Sequence, residues 1–326
     1  MKALIFTYLV TAFGAGIGLF RPFYALCAYI CFAIVKPDGF WSYVVPQAPY
    51  SKVIAIPMLI GWIIGGTAIW KLGASKPIVL CLTGFVAWGT IAAAFAADHS
   101  LSFLFTDSML KVLLPFYVGI TTINSTRDLR ILGWTIVLSQ GYLAYEMNVS
   151  YLQGFNAMAM GATGLENNSA AIAMSGGAGF AVMLGFLAPS RFQKCVAIIC
   201  AALMVHAVLM SDSRGGMLGI VMTGVALLVV TPKSPKTVFA FIIIGLLVLR
   251  FTGPAVMERF STAFAEKEDR DGSAASRLFL WEDCRDLIKK NPIVGVGPHH
   301  WRAQYAELYG WPDGKSAHST WFEIAA

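Results

Sequence analysis

The feature that most constrains this chain is a succession of apolar runs, each close to the length that crosses a bilayer. A helix needs about 20 mostly apolar residues to span a hydrocarbon core of about 30 Å. Such runs lie at 3–20, 53–70, 77–97, 109–123, 131–145, 169–188, 195–211, 215–231 and 237–251. A shorter one, 23–35, follows Arg21-Pro22 and reads as a tilted or re-entrant piece. Lipid offers the backbone no hydrogen-bond partner, so each run must bond within itself as a helix. The sequence predicts an all-α, polytopic integral membrane protein with about nine to ten spans. No small-residue cleavage site follows 3–20, so that run reads as a span and not a removable leader.

Composition supports the same class. Hydrophobic residues make up 57% of the chain and charged residues 13%, against about 25% charged in an average soluble domain. That deficit excludes a soluble enzyme, a disordered chain and a nucleic-acid binder. The net charge of +6 reads as a topology signal, because the charges sit in short clusters between apolar runs. Four loops carry basic pairs: Lys71 and Lys76, Arg127 and Arg130, Arg191 and Lys194, Lys233 and Lys236. Loops 98–108 and 146–168 carry no Lys or Arg, and 211–214 carries only Arg214. The positive-inside rule places the paired loops in the cytoplasm and the others outside, together with the segment after 251. The side of the amino-terminal end depends on whether 23–35 crosses, and Lys2 mildly favours the inside. Three parts are expected: a helical membrane body (1–251), an external loop (252–316) and the start of a further helix (317–326) that stops short of a span, as in a truncated chain.

Of the cysteines, Cys27, Cys31, Cys81, Cys195 and Cys200 lie inside apolar runs and Cys284 does not. No CxxC pair or Cys/His spacing suggests zinc, so buried free thiols are expected. The external segment is rich in both charge signs. Within it, SRLFLWEDCRDLIKK (276–290) places Leu280, Trp281, Cys284, Leu287 and Ile288 at helical spacing. This predicts an amphipathic helix at the membrane boundary, capped by Ser273 or Ser276, stopped by Asn291-Pro292 and anchored by Trp281.

Charged groups near spans mark function more often than those on a soluble surface. Three outward groups stand out. Arg214 precedes Gly215 and Gly216 at a span start, where free N–H groups, glycines and a guanidinium fork suit a phosphate; it equally suits snorkelling or a pair with Asp212. Arg277 opens the external helix, with Arg259, Arg270, Arg285 and Arg302 as competitors. His318 stands where the loop enters the last helix, a position that favours a neutral imidazole able to accept a proton. His299, His300 and His99 are the other outward histidines, and His206 falls in a span. Ser213 and Asn168 are possible substrate contacts, although capping of the span at 169 is the simpler role for Asn168. No nucleotide loop or carboxylate cage is visible, so neither a metal nor a cofactor is implied.

An outward SRGG at a span start, a large external loop with SRxxxW (Ser276, Arg277, Trp281), then NPIVGVG and an AHS leading into the next span occur here in that order. This resembles the bacterial O-antigen ligase and polymerase superfamily. The opening stretch, FRPFYALCAYICFAIVKPDGF, is most similar to the branch of exosortase-associated O-glycosylation ligases. The resemblance implies a metal-independent glycosyltransferase of C-type-like fold in the bacterial inner membrane. It implies transfer of a glycan from undecaprenyl diphosphate, at the periplasmic face, to lipid A core, a growing glycan or a protein hydroxyl. A polysaccharide polymerase using the same donor is the alternative, and a transporter of lipid-linked solutes is a more distant one. By the same resemblance, Arg214 and Arg277 hold the diphosphate and His318 activates the acceptor. The family often has Asn after that histidine, where this chain has Ser319.

Overall fold

Each described apolar run is helical, as lipid requires. The computed structural model describes residues 1–65, 70, 72–161, 166–231, 234, 272–311, 315–317 and 319–325. Helices α1 (Lys2–Gly18), α2 (Pro22–Val35), α3 (Pro37–Phe40), α4 (Tyr50–Ile64), α5 (Lys76–Phe95), α6 (His99–Thr122), α7 (Thr126–Leu152), α8 (Asn167–Leu187), α9 (Arg191–Leu209) and α10 (Arg214–Val230) form the body. The chain after 271 contributes α11 (Gly272–Lys290), a π-helical turn (Trp301–Tyr305) that continues into α12 (Ala306–Leu308), and α13 (Thr320–Ala325). Among the described residues there is no strand. The expected run at 237–251 lies outside the described residues.

By length and composition, five described segments suffice to cross a membrane: Pro22–Phe40, Gly73–Phe95, His99–Thr122, Asn167–Leu187 and Arg191–Leu209. Lys2–Gly18, Tyr50–Ile64 and Gly215–Val230 are apolar but shorter. Leu9, Phe13, Ile63, Ile78, Trp88 and Phe192 point away from the protein. Large apolar groups exposed in such numbers fit lipid and not water. Cys81 and Cys195 are likewise exposed, so burial holds only for Cys27, Cys200 and Cys284. The reason is helical register: these two thiols fall on outward faces of α5 and α9.

The chain divides into two compact units, Met1–Ala68 with Thr122–Phe264, and Ile69–Thr121 with Ala265–Ala326. In the first unit α8 is the central helix, packed against α7, α9 and α10. Its sequence NNSAAIAMSGGAGF explains this position, because small residues let helix backbones approach closely in lipid. At Gly177 a Cβ would overlap the side chain of Gln140 on α7. The polar residues Gln140, Glu146 and Asn148 of α7 lie in this helix, which is flanked by α2, α8 and α9.

The same unit pins the start of α1. Lys2 Nζ lies 2.9 Å from Glu146 Oε1, near the end of α7 that leads into the 153–166 connection. Glu146 also accepts a hydrogen bond from Tyr142, 3.0 Å away. Phe6, Trp41 and Tyr142 pack mutually at this end. The start of α1 therefore lies beside the end of α7 that carries Glu146. A lysine paired with a carboxylate no longer acts as a free positive anchor.

In the second unit the span expected at 109–123 begins ten residues earlier, at His99. The loop expected over 98–108 therefore shrinks to a tight turn. Asp98 causes it, since its Oδ1 accepts from Ser100 N–H (2.9 Å), Ser100 Oγ (2.7 Å) and Leu101 N–H (3.2 Å) and so caps α6. These bonds to the charged form, led by the Ser100 hydroxyl, hold the Asp98 carboxyl below its ordinary range.

Candidate functional site

The residues singled out in the sequence fall into the two units. Asn168, Ser213, Arg214, Gly215 and Gly216 belong to the first, Arg277 and His318 to the second.

In the first unit, two turns are tied together. Ser213 is the N-cap of α10, its hydroxyl accepting from Gly216 N–H at 2.9 Å. The same hydroxyl donates to Asn168 Oδ1. Asn167 Nδ2 donates to Ser211 O at 3.1 Å, which closes the second link. Asn168 therefore does not cap α8. That helix starts one residue earlier, at Asn167, and the side chain of Asn168 turns to the neighbouring helix instead. Ser213 is 1% exposed with its hydroxyl engaged on both sides, so its structural role is the cap and not an open contact.

The glycines divide. At Gly215 an added Cβ would meet only the Ser213 hydroxyl, 3.8 Å away, and the residue is exposed. At Gly216 the Cβ would overlap Ala171 of α8, so this glycine serves helix packing. Ser175 Oγ adds a bond of 3.2 Å to Gly216 O. The start of α10 is thus fixed against α8, while its first turn stays open at Gly215. Asp212 adopts φ +55°, which turns the chain sharply into the helix. Arg214 is the first residue of α10; its guanidinium lies outside the described part of the structure.

In the second unit, α11 buries Leu280, Cys284 and Leu287 against Val296, Trp301, Ala306 and Ala317. Burial pushes the Cys284 thiol up to about 12. The helix begins at Gly272, so Ser273 and Ser276 lie inside it and neither caps its start. It stops at Lys290, before Asn291-Pro292, as expected. Trp281 is not a free interfacial anchor. Its indole Nε1 donates to Ala317 O at 2.8 Å, and its ring stacks on Phe322 with centroids 5.4 Å apart. An indole with a protein acceptor and a ring partner in reach has both halves satisfied without the membrane surface.

Arg277 lies one turn before Trp281 on the same face of α11. Its Nε is buried and has no hydrogen-bond partner among the described residues. A buried, unpaired guanidinium nitrogen is unfavourable unless an anion or acceptor completes it. His318 lies outside the described residues. Ala317, which precedes it in sequence, is held twice: its carbonyl by Trp281, and its N–H by Glu323 Oε1 at 3.0 Å. The same Glu323 oxygen accepts from Ser316 Oγ.

Sequence reasoning missed Glu323, which fixes the 316–317 turn, and named His300 without its role, which is to fasten its loop to the α5–α6 turn. His300 is fully buried. Its Nε2 accepts from Asp98 N–H at 3.0 Å, while Nδ1 lies 3.1 Å from Pro298 O and 3.3 Å from Ser102 Oγ. An acceptor at Nε2 requires the neutral Nδ1–H tautomer, whose proton suits the Pro298 carbonyl. The two polar serines of the α6 start, Ser100 and Ser102, were the available signal, since a lipid-facing helix has no use for them. Among the described residues no group of His, Cys, Asp and Glu suits a metal ion.

Residues 1–184 match the family model described as a family of unknown function, DUF5935. The chain belongs to this family. Residues 199–326 match a second family model, described as O-Antigen ligase. That match contains Arg214, Arg277 and His318, and it supports the O-antigen ligase superfamily. It supports a ligase- or polymerase-like role for a glycosyltransferase type of enzyme, with a lipid-linked glycan as substrate and the membrane as its setting. No curated protein and no solved structure matches the chain.

Proposed function

We propose that this protein transfers a glycan from undecaprenyl diphosphate to an acceptor hydroxyl, on lipid A core or protein, at the periplasmic face of the bacterial inner membrane. The observation that carries the proposal is the buried, unpartnered Nε of Arg277 within the O-antigen ligase match. Such a nitrogen calls for an anion, and a lipid diphosphate presents one at the membrane surface. Arg277 and Arg214 hold the diphosphate, and the exposed Gly215 at the open first turn of α10 lets phosphate oxygens near the backbone N–H groups. His318 takes the proton of the acceptor hydroxyl. The acceptor oxygen then bonds to the anomeric carbon as the bond to the diphosphate oxygen breaks. The electron pair leaves on the diphosphate, where the arginines stabilise it. No metal takes part, and the single displacement inverts the anomeric centre.

Purified protein in nanodiscs, given a lipid-linked repeat unit and a separate acceptor, tests the reading. Single transfer to the acceptor is expected, with inversion. Arg277→Ala and His318→Ala should each lower the rate about 100- to 1,000-fold at unchanged membrane levels, the range seen for loss of one charge-stabilising group. A ladder of glycan lengths would assign polymerase instead. Wild-type rates in both variants, or retention in the product, would overturn the mechanism.

A further inference from the structure

The first unit contains a cavity of about 420 Å³ at the opposite end of α7 from Glu146. Its wall comes from the first turns of α7, the end of α8 and the start of α9. Arg127, Arg130, Trp134, Leu138, Leu187 and Gln193 line it. The volume lies within the range of small-molecule sites, about 300–1,000 Å³.

Three observations give the cavity a chemistry. First, Arg127 and Arg130 are three residues apart on one helix face, and both reach the cavity. Neither has a salt bridge among the described residues. Both stand in or next to the first turn of α7, where the helix dipole disfavours a cation. The neighbouring Asp128 carboxylate accepts from Asn124 N–H at 3.2 Å and offsets Arg127 only through space, without an ion pair. Second, apart from Thr135 and Gln193 the rest of the wall is apolar, with Leu138 and Leu187 about half exposed. Third, Gln193 Oε1 is buried in this wall without a partner among the described residues.

A cationic rim above a largely apolar wall matches an anionic amphiphile. We infer that this cavity binds the headgroup of an anionic phospholipid, a phosphatidylglycerol, from the cytoplasmic leaflet. The phosphodiester bridges Arg127 and Arg130, and the acyl chain runs along Trp134, Leu138 and Leu187. A glycerol hydroxyl, a donor, is the group that Gln193 Oε1 lacks. Within the first unit the cavity lies at the opposite end of α8 from Asn168, which bonds Ser213 at the start of α10. Basic pockets between spans on the cytoplasmic side are a known physical solution for such headgroups.

The test is native mass spectrometry of the full chain released from vesicles of equal phosphatidylglycerol and phosphatidylcholine. The expected result is one phosphatidylglycerol retained in preference to phosphatidylcholine. The double variant Arg127→Gln/Arg130→Gln should lower that apparent affinity about 30-fold, the factor for two cations at a membrane surface. The control Lys233→Gln/Lys236→Gln removes the same charge from another loop that the charge rule assigns to this side, and retention should be unchanged. Equal loss in the control would reduce the effect to general surface charge and overturn the site. Displacement of the lipid by millimolar glycerol 3-phosphate would assign a free phosphate site and overturn the lipid. If the double variant does not fold, Leu187→Trp fills the cavity with both arginines in place. It should also lose the lipid, and full retention in it would refute the assignment.

Discussion

Replacing Trp281 by Phe removes one hydrogen bond and keeps the ring that stacks on Phe322. The lost partner is the carbonyl of Ala317, a fully buried residue, so water does not replace it readily. An orphaned buried acceptor costs about 1–3 kcal/mol. That shift moves the docked-to-undocked equilibrium of the 315–317 turn on α11 by about 5- to 150-fold. The Ala317 amide reports the change, because the residue is fully buried against α11 while the turn is docked. Hydrogen exchange of the full chain in nanodiscs should show this amide exchanging about 5- to 150-fold faster in the variant. Exchange in the core of α8 should be unchanged. Glycan transfer should fall in parallel, since Ala317 adjoins His318. If the Ala317 amide exchanges within about twofold of wild type, the indole does not hold the turn, and the reasoning from buried bond to site geometry fails.

Other outcomes follow from the same structure. Gly216→Val should reduce folded protein in the membrane, since its side chain would overlap Ala171, whereas Gly215→Ala should leave the level unchanged; a blot of membrane fractions distinguishes them. Cys284 should resist maleimide at pH 8 in folded protein, being buried with its thiol pushed up to about 12, and react after denaturation. The Asp286 carboxyl is held below its ordinary range by bonds from Lys290 and Tyr309. Its contribution is therefore full above about pH 3.9 and is lost as pH falls through the lowered value. Exchange near Tyr309 should rise in that acid window, and Asp286→Asn should abolish the dependence.

The spans were legible because lipid imposes one local rule on the backbone, which apolar length alone reveals. The helix of the external loop was legible from the spacing of Leu280, Cys284 and Leu287 for a similar reason, since one face had to be buried. Its partners were not. Nothing local in the sequence says that Trp281 finds the carbonyl of Ala317, 36 residues away. Nor does the sequence show that Lys2 finds Glu146 across 144 residues. At the candidate site, SRGG pointed to the start of α10. The division of labour between an open Gly215 and a packed Gly216 required the neighbouring helix to be present.

The fastening of His300 to Asp98 has a consequence for how the protein is made. The two residues are 202 positions apart. At synthesis rates of about 5–20 residues per second, the α5–α6 turn waits roughly 10–40 s for its histidine to emerge. During that time the Asp98 N–H is served by water, and the turn is held only by the local cap on Ser100 and Leu101. That cap keeps the early hairpin in shape until the late loop arrives. Weakening it should therefore lower the yield of assembled protein more than it destabilises the finished one.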